Sequence, residues 1–222
     1  MNSRRDLAFL LVVTLLAVCR GVVMGSDSGA KALYQNDLEK CAVGSVSEEF
    51  LVLDGAFKVQ EEGGNKFLEL PGAPLDTFGV LFGPTEQDGI AVAARVFGTG
   101  KGRRYPAFGV GLNGVGGFKL QVSPGKKAVE ILRGDALKQS IPYEWPSGQW
   151  VHLRLDLRKS KGGGWTVSGK VWGAGQREPA APTISIEDKE EPLAGRASIW
   201  GMPYSGTPIR FDDLVVLSSA AE

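Results

Sequence analysis

The stretch QWVHLRLDLR, residues Gln149–Arg158, alternates polar and apolar side chains without a break. In a β-strand, successive side chains point to opposite faces, so one face of this stretch is aliphatic throughout. That face carries Val151, Leu153, Leu155 and Leu157. The pattern therefore predicts a strand that buries one face against a second layer of the protein.

The same pattern continues on both sides of this stretch. From Phe50 onward, short alternating segments are separated by glycine and proline, and no segment has the period of a helix. Sheets without helices can bury a core only against each other. We therefore predict an all-β fold, a two-sheet antiparallel β-sandwich of about thirteen strands.

Two further segments carry local predictions. Ala32-Leu33-Tyr34 is an apolar stretch in a polar region and is expected to reach a sheet. Asp54-Gly55 is expected to close a hairpin between Phe50–Leu53 and Ala56–Gln60, because this dipeptide supplies the positive φ that a tight turn needs.

The N-terminus has the layout of a secretory signal peptide, assigned to residues 1–25. Arg4 and Arg5 precede the apolar run Leu7–Val18. Small residues follow this run, and cleavage is expected after Gly25. Two alternatives remain open: a retained N-terminal anchor, and a bacterial lipoprotein in which Cys19 is acylated. With a cleaved signal peptide, we predict a secreted or periplasmic location.

Length and composition limit the domain organisation and the possible partners of the chain that follows the signal peptide. We predict one domain over 48–218, after a polar segment at 26–47 and before a tail at 219–222. Removal of the signal leaves Cys41 as the only cysteine, so an intrachain disulfide is excluded. The 25 basic and 25 acidic residues balance, which argues against a nucleic-acid partner. No membrane contact is expected beyond the signal or a lipid anchor at Cys19.

The polar face of Gln149–Arg158 is the strongest candidate for recognition. An aromatic ring can stack on the C–H face of a sugar while charged groups bind its hydroxyls. Neighbouring strands add residues of the same kinds. The predicted ligand-binding residues are Arg95, Tyr105, Trp150, His152, Arg154 and Trp172. The alternative is a solvated outer face with a cross-strand salt bridge.

Catalytic and metal chemistry have weaker support. The E-x-D-x-x-E spacing of a retaining glucanase does not occur, and the single histidine has no evident nucleophilic partner. If the protein is an enzyme, Glu144, Asp156 or His152 is the expected acid or base. Asp212 and Asp213 are hard oxygen ligands for a structural Ca²⁺, unless one of them binds the backbone of a neighbouring loop. No other cofactor is expected.

Three short motifs resemble a known family. They are Trp150–Leu155, Trp165–Trp172 with the loop at Pro179, and Phe211–Val216 with the preceding Gly206. This combination resembles concanavalin A-like jelly rolls of the laminin-G-like and 3-keto-disaccharide hydrolase type, which are common in exported bacterial proteins. The resemblance implies a jelly-roll sandwich and, for the hydrolase branch, a glycoside-processing activity.

Three functions follow as hypotheses. The first is an exported, non-catalytic module that binds carbohydrate or another extracellular polymer. The second is a glycoside-processing enzyme of the 3-keto-disaccharide hydrolase type. The third is a structural or adhesion module without a small ligand.

Overall fold

The structure is a computed structural model that describes residues 30–218. This part of the chain contains fifteen β-strands and one short 3-10 helix, Pro124–Lys126. In chain order, the strands are β1 (Ala32–Asn36), β2 (Leu51–Asp54), β3 (Lys58–Glu62), β4 (Asn65–Leu70), β5 (Phe78–Glu86), β6 (Ile90–Phe97), β7 (Ala107–Leu112), β8 (Phe118–Ser123), β9 (Ala128–Arg133), β10 (Ala136–Pro142), β11 (Trp150–Lys159), β12 (Trp165–Gly173), β13 (Ile184–Asp188), β14 (Gly195–Met202) and β15 (Ile209–Ser218).

These strands form two antiparallel sheets. The eight-stranded sheet has the order β13-β12-β11-β6-β15-β4-β3, with β1 paired to β15 beside this path. The seven-stranded sheet has the order β10-β9-β8-β7-β14-β5-β2. One buried apolar cluster draws side chains from both sheets, so the sheets pack face to face. The predicted all-β, two-sheet sandwich is confirmed.

The interior between the sheets determines which face of β11 is turned outward. The four aliphatic side chains of β11 are fully buried, namely Val151, Leu153, Leu155 and Leu157. Across the interior, Leu120 of β8 approaches β12 closely. A Cβ atom at Gly169 would lie 2.5 Å from Leu120 Cδ1, so a larger residue at this position in β12 would displace the Leu120 side chain. The polar side of β11 therefore faces away from the core.

The predicted hairpin at Asp54-Gly55 is wrong. β2 pairs with β5 in the seven-stranded sheet, whereas β3 pairs with β4 in the eight-stranded sheet. The turn therefore carries the chain from one layer to the other. Gly55 keeps the expected positive φ, at 101°, but positive φ fits a crossover turn as well as a hairpin.

The structure adds two strands to the predicted set. β1 includes Ala32-Leu33-Tyr34 and pairs with β15, as expected of a segment that reaches a sheet. β10, with the sequence ALKQSIP, is an edge strand whose side chains are almost all exposed. An exposed edge strand has no buried face, so its sequence lacks the alternation that reveals the other strands.

Several sequence predictions lie outside the described residues. These are the signal peptide at 1–25, the lipid-anchor alternative at Cys19 and the tail at 219–222. Over residues 30–218, we find no helix of the length and apolarity that a membrane span requires.

Candidate functional site

Five of the predicted binding residues lie on the outer face of the eight-stranded sheet. Trp150, His152 and Arg154 alternate along β11 on the side opposite the core. The register places His152 directly between Arg95 of β6 and Trp172 of β12. Antiparallel neighbours in register have side chains on the same face, so the five side chains form one surface.

Trp150 is packed by other side chains of that surface. The Arg95 guanidinium lies 4.7 Å from the centre of the Trp150 ring. The rings of Phe67 and Phe97 approach it at centroid distances of 6.3 and 5.5 Å. Arg210 in turn covers Phe67, at 4.5 Å from the ring centre. This cluster of aromatic rings and arginines fixes Trp150, which is only partly exposed.

His152 and Trp172 form a parallel stack. Their ring centroids are 5.0 Å apart, and the rings are inclined by 11°. Trp172 is only 8% exposed, so His152 covers much of the ring that was predicted to meet a ligand. Burial, aided by the positive charge of Arg95, lowers the pKa of His152 below its ordinary value. His152 is therefore neutral at pH 7.

Arg95 binds two consecutive aspartates at a bulge in β15. The register of β15 against β6 shifts between Asp212 and Val215, and Asp213 has a positive φ of 50°. The bulge brings both carboxylates to one arginine: Asp212 accepts a hydrogen bond from Arg95, and Asp213 Oδ2 lies 3.0 Å from Arg95 Nε. Asn65 also donates to Asp212, at 2.9 Å.

The two aspartates do not fit the predicted Ca²⁺ site. Asp212 accepts hydrogen bonds from a guanidinium, an amide and a backbone N–H, and Asp213 forms an ion pair with the same guanidinium. A cation would have to displace these donors. No group of three His, Cys, Asp or Glu side chains suited to a metal occurs among residues 30–218. Burial raises the pKa of the Asp212 carboxyl, and its bonds to Asn65 and Arg95 oppose that effect.

A groove opens farther along β11 and β12 on the same outer face. It has a volume of about 1060 Å³ and is bounded by the β11–β12 turn, Lys159–Gly163, and by the loop after β12. Of the six predicted binding residues, Arg154 lines this groove. The polar side chains on the strands and at the mouth are Asp88, Arg154, Asp156, Arg158, Thr166, Ser168, Lys170 and Glu187.

Ion pairs fix the floor of the groove. Arg154 binds Asp156 with two parallel contacts, 2.9 Å from Nε to Oδ2 and 3.0 Å from Nη2 to Oδ1. Glu178, from the loop after β12, accepts from Arg154 at 3.3 Å and from Lys170 at 2.8 Å. These contacts are not the predicted cross-strand salt bridge: Arg154 pairs with Asp156 of its own strand, and Arg154 of β11 and Lys170 of β12 are linked through Glu178. They form an ionic floor with the loop after β12 held over one side of it.

Glu187 of β13 stands at the edge of the groove in a hydroxyl-rich setting. It accepts hydrogen bonds from the side chains of Ser160 and Thr166, each at 2.6 Å. These two bonds lower the pKa of Glu187, so the residue is a carboxylate at neutral pH. Such a group accepts hydrogen bonds well, but it does not carry the proton of a general acid.

Two aromatic residues lie apart from this face. Tyr105 is in the β6–β7 connection, where its ring covers Gly100, and it is 40% exposed. Trp145, in the loop before β11, packs edge-on against the core residue Phe108 at 5.6 Å. Glu144, a candidate acid, forms an exposed ion pair with Lys127 and has no buried environment.

The outer face of the seven-stranded sheet carries a second polar group that sequence reasoning missed. Glu130 of β9 is only 1% exposed and accepts from Ser123 at 2.6 Å and from Lys126 at 3.0 Å. Lys119 of β8 lies 4.7 Å from the centre of the Trp200 ring. The alternation in β8, FKLQVS, was the available signal for the outward positions of Lys119 and Ser123.

The sequence matches no known protein family and no curated protein. Solved structures, in contrast, share the fold. A Bacillus subtilis protein of unknown function with a galectin-like fold gives a TM-score of 0.59 at 13% identity, over 86% of this chain and 97% of that chain. The chain has a galectin-like jelly-roll fold.

Two carbohydrate-binding proteins have the same fold. The carbohydrate recognition domain of Emp46p, metal-free, gives a TM-score of 0.57 at 11% identity, over 85% of this chain and 97% of that chain. The carbohydrate-binding module CBM66 from Bacillus subtilis gives 0.53 at 11% identity, over 76% and 94%. At these identities the comparison shows the fold and leaves the ligand open.

Proposed function

We propose that this protein binds carbohydrate in the groove on the outer face of the eight-stranded sheet, without cleaving it. The observation that carries the proposal is a groove of about 1060 Å³ whose polar lining is held by ion pairs and hydrogen bonds. Sugar hydroxyls both donate and accept, and they are bound best by groups that are already fixed in place. The carbohydrate-binding proteins that share the fold support this choice.

The residues have distinct roles in this proposal. Glu187 accepts hydrogen bonds from sugar hydroxyls through its exposed carboxylate, and Thr166 and Ser168 exchange them through their own hydroxyls. Asp156 is 5% exposed and holds Arg154 in place through both of its oxygens. Arg154 acts as a positioning residue, because its guanidinium already binds two carboxylates and is 5% exposed. Trp150, His152, Trp172 and Arg95 form the packed surface beside the groove.

A substitution that fills the groove tests the proposal. Ser168 is an outward side chain of β12 that joins none of the ion pairs, so Ser168→Tyr is expected to block the groove while the fold is kept. We expect binding to glycans identified on an array to weaken about tenfold or more, which corresponds to about 1.4 kcal/mol. Isothermal titration with protein expressed from the full chain measures the change.

Two matched variants control this experiment. Gln60→Tyr adds the same ring at the far edge of the same sheet, on β3, and is expected to leave affinity unchanged. Gln121→Tyr adds it to the outer face of the seven-stranded sheet. Loss of binding in Gln121→Tyr, with Ser168→Tyr unaffected, would place the site on that other face. A folded protein that binds no glycan would favour the structural or adhesion module.

A glycoside-processing enzyme is the second candidate. Its support is the resemblance to 3-keto-disaccharide hydrolases and the presence of two carboxylates, Asp156 and Glu187, in one groove. Both are occupied, Asp156 by Arg154 and Glu187 by two hydroxyls, which favours binding over proton transfer. Release of product from a glycan or keto-disaccharide during the titrations would favour the enzyme over the non-catalytic binding module.

We also propose that the protein is exported. The basis is the tripartite N-terminal segment, with cleavage after Gly25 or, in the lipoprotein alternative, acylation of Cys19. Mass spectrometry of protein from the culture medium, periplasm and membrane fractions is expected to find an N-terminus at Ser26. A full-length chain in the cytoplasm would contradict export.

A further inference from the structure

A basic hairpin projects from one end of the sandwich, away from the groove. Lys101, Arg103 and Arg104 lie in the β6–β7 connection, and all three are exposed. Two backbone hydrogen bonds close the hairpin: the N–H of Lys101 donates to Arg104 O at 2.9 Å, and the N–H of Arg104 donates to Lys101 O at 3.1 Å. Gly102, with a φ of 62°, allows this tight turn.

These three cations differ from most of the other arginines in the described part of the chain. Within the described part of the chain, they have no carboxylate within 4.0 Å. Five other arginines are each paired with a carboxylate, namely Arg95, Arg133, Arg154, Arg158 and Arg210. Since the whole chain has no net charge, the hairpin is a local excess of positive charge that an anionic partner can neutralise.

Two exposed tyrosines accompany the hairpin. Met202 and Ala107 form the terminal pair of the β14–β7 ladder. Tyr204 and Tyr105 each lie two residues beyond this pair, so both leave the sheet at the same end. They are 45% and 40% exposed, which is high for aromatic residues in a well-packed sandwich.

The two tyrosine-bearing connections are tied to each other. Thr207, which follows Tyr204 in the β14–β15 connection, donates from Oγ1 to Thr99 O at 2.8 Å. Thr99 belongs to the connection that carries the basic hairpin and Tyr105. Cations and aromatic rings are therefore presented together by a fixed pair of loops.

We propose that this end of the sandwich is a second binding surface, which takes an acidic polysaccharide. Tyrosine rings stack on sugar faces and offer a hydroxyl at their edge, while guanidinium groups bind carboxylate or sulfate through two parallel hydrogen bonds. A chain of uronic acid or sulfated sugars provides both features at regular spacing. In this proposal Tyr105 contacts ligand at the end of the sandwich and not in the groove.

The test uses heparin and polygalacturonate as probes and protein expressed from the full chain. Arg103→Gln with Arg104→Gln removes two charges from the hairpin and keeps the backbone bonds that close it. We expect about tenfold weaker affinity for both polymers, the sum of two exposed ion pairs, and binding that declines as sodium chloride is raised. Tyr204→Ala is expected to weaken polygalacturonate binding as well.

Lys159→Gln with Lys161→Gln is the matched control. It removes the same charge from the mouth of the groove, where both lysines are exposed, and is expected to leave binding of the acidic polymers unchanged. Equal weakening by the two double variants would overturn the proposal, because overall charge would then explain the binding. Binding of duplex DNA or of anionic phospholipid vesicles as strong as that of the acidic polymers would also overturn the proposal. So would a protein that binds neither polymer.

The experiment separates this surface from the groove. Ser168→Tyr blocks the groove and is expected to bind heparin normally. Loss of heparin binding in Ser168→Tyr would assign the acidic polymer to the groove and overturn the second surface. Absence of neutral-glycan binding, by itself, would count against the groove alone.

Discussion

His152 is held neutral by its surroundings. It stacks on Trp172, and the charged groups that face it are Arg95, Asp213 and Glu178. Burial contributes most to the lowered pKa, and Arg95 acts in the same direction, while the two carboxylates oppose the shift. The histidine therefore serves as a packed aromatic ring of the outer face.

This state of His152 predicts a pH dependence of stability. The unfolded chain protonates the residue near its ordinary pKa of about 6.5, whereas the folded protein resists protonation. Below that pH the unfolded state binds more protons, so we expect the free energy of unfolding to fall as the pH drops from 7.5 toward 5.5. Urea titrations of the wild type and His152→Gln measure it. The free energy of unfolding of the variant should depend less on pH than that of the wild type. An identical pH dependence would contradict a lowered pKa of His152.

The pair Asp212 and Asp213 shows how one backbone feature changes the chemistry of two residues. In a regular strand, consecutive side chains point to opposite faces. The bulge at Asp213 directs both carboxylates to Arg95 instead. The acidic pair was predicted as a ligand set for Ca²⁺, and the structure gives it a guanidinium as partner.

At the scale of elements, the β11–β12 hairpin organises the candidate site. Gly169 lets β12 approach Leu120 across the interior, and its outward neighbours Ser168 and Lys170 then face the groove. The turn between the strands forms one wall, and Glu178 brings the following loop over the other side. The groove is thus built on one hairpin and the loop after it, and Asp88 before β6 and Glu187 of β13 complete its lining.

The elements that sequence analysis missed have no pattern of their own. β10 is an exposed edge strand, and its side chains have no buried face to impose alternation. The turn at Asp54-Gly55 was assigned correctly as a turn, but its direction depends on which sheet the next strand joins. Pairing is decided by long-range packing, which local residue types do not encode.

For the whole molecule, a buried ionic contact closes one side of the sandwich. Asp188, at the end of β13 in the eight-stranded sheet, is 7% exposed. It binds Arg133 of β9 at 3.0 Å and Lys138 of β10 at 3.3 Å, both in the seven-stranded sheet. Burial acts to raise the pKa of Asp188, but the Glu190 N–H and the two cations outweigh it and keep the pKa low.

Asp188→Asn is expected to destabilise the protein by about 1.5–3 kcal/mol, the range for a lost hydrogen bond to a charged group. Because the folded pKa is depressed, the contribution of Asp188 is present above pH 4 and is lost as the pH falls through the folded value. Denaturant unfolding at pH 7 measures the loss. Asp135→Asn, at a fully exposed partner of Lys119, is the control and should change nothing. Equal stability of wild type and Asp188→Asn would contradict a closing role.

The sequence by itself determined the layering of this protein. The alternation in Gln149–Arg158 is a local consequence of strand geometry, so it identified the buried face of β11 and the outward positions of Trp150, His152 and Arg154. Only the tertiary structure decided which outward residues meet. The groove, the Arg95 cluster and the Asp188 contact each join residues far apart in the chain, and their distances depend on sheet order, a bulge and loop paths that no local pattern specifies.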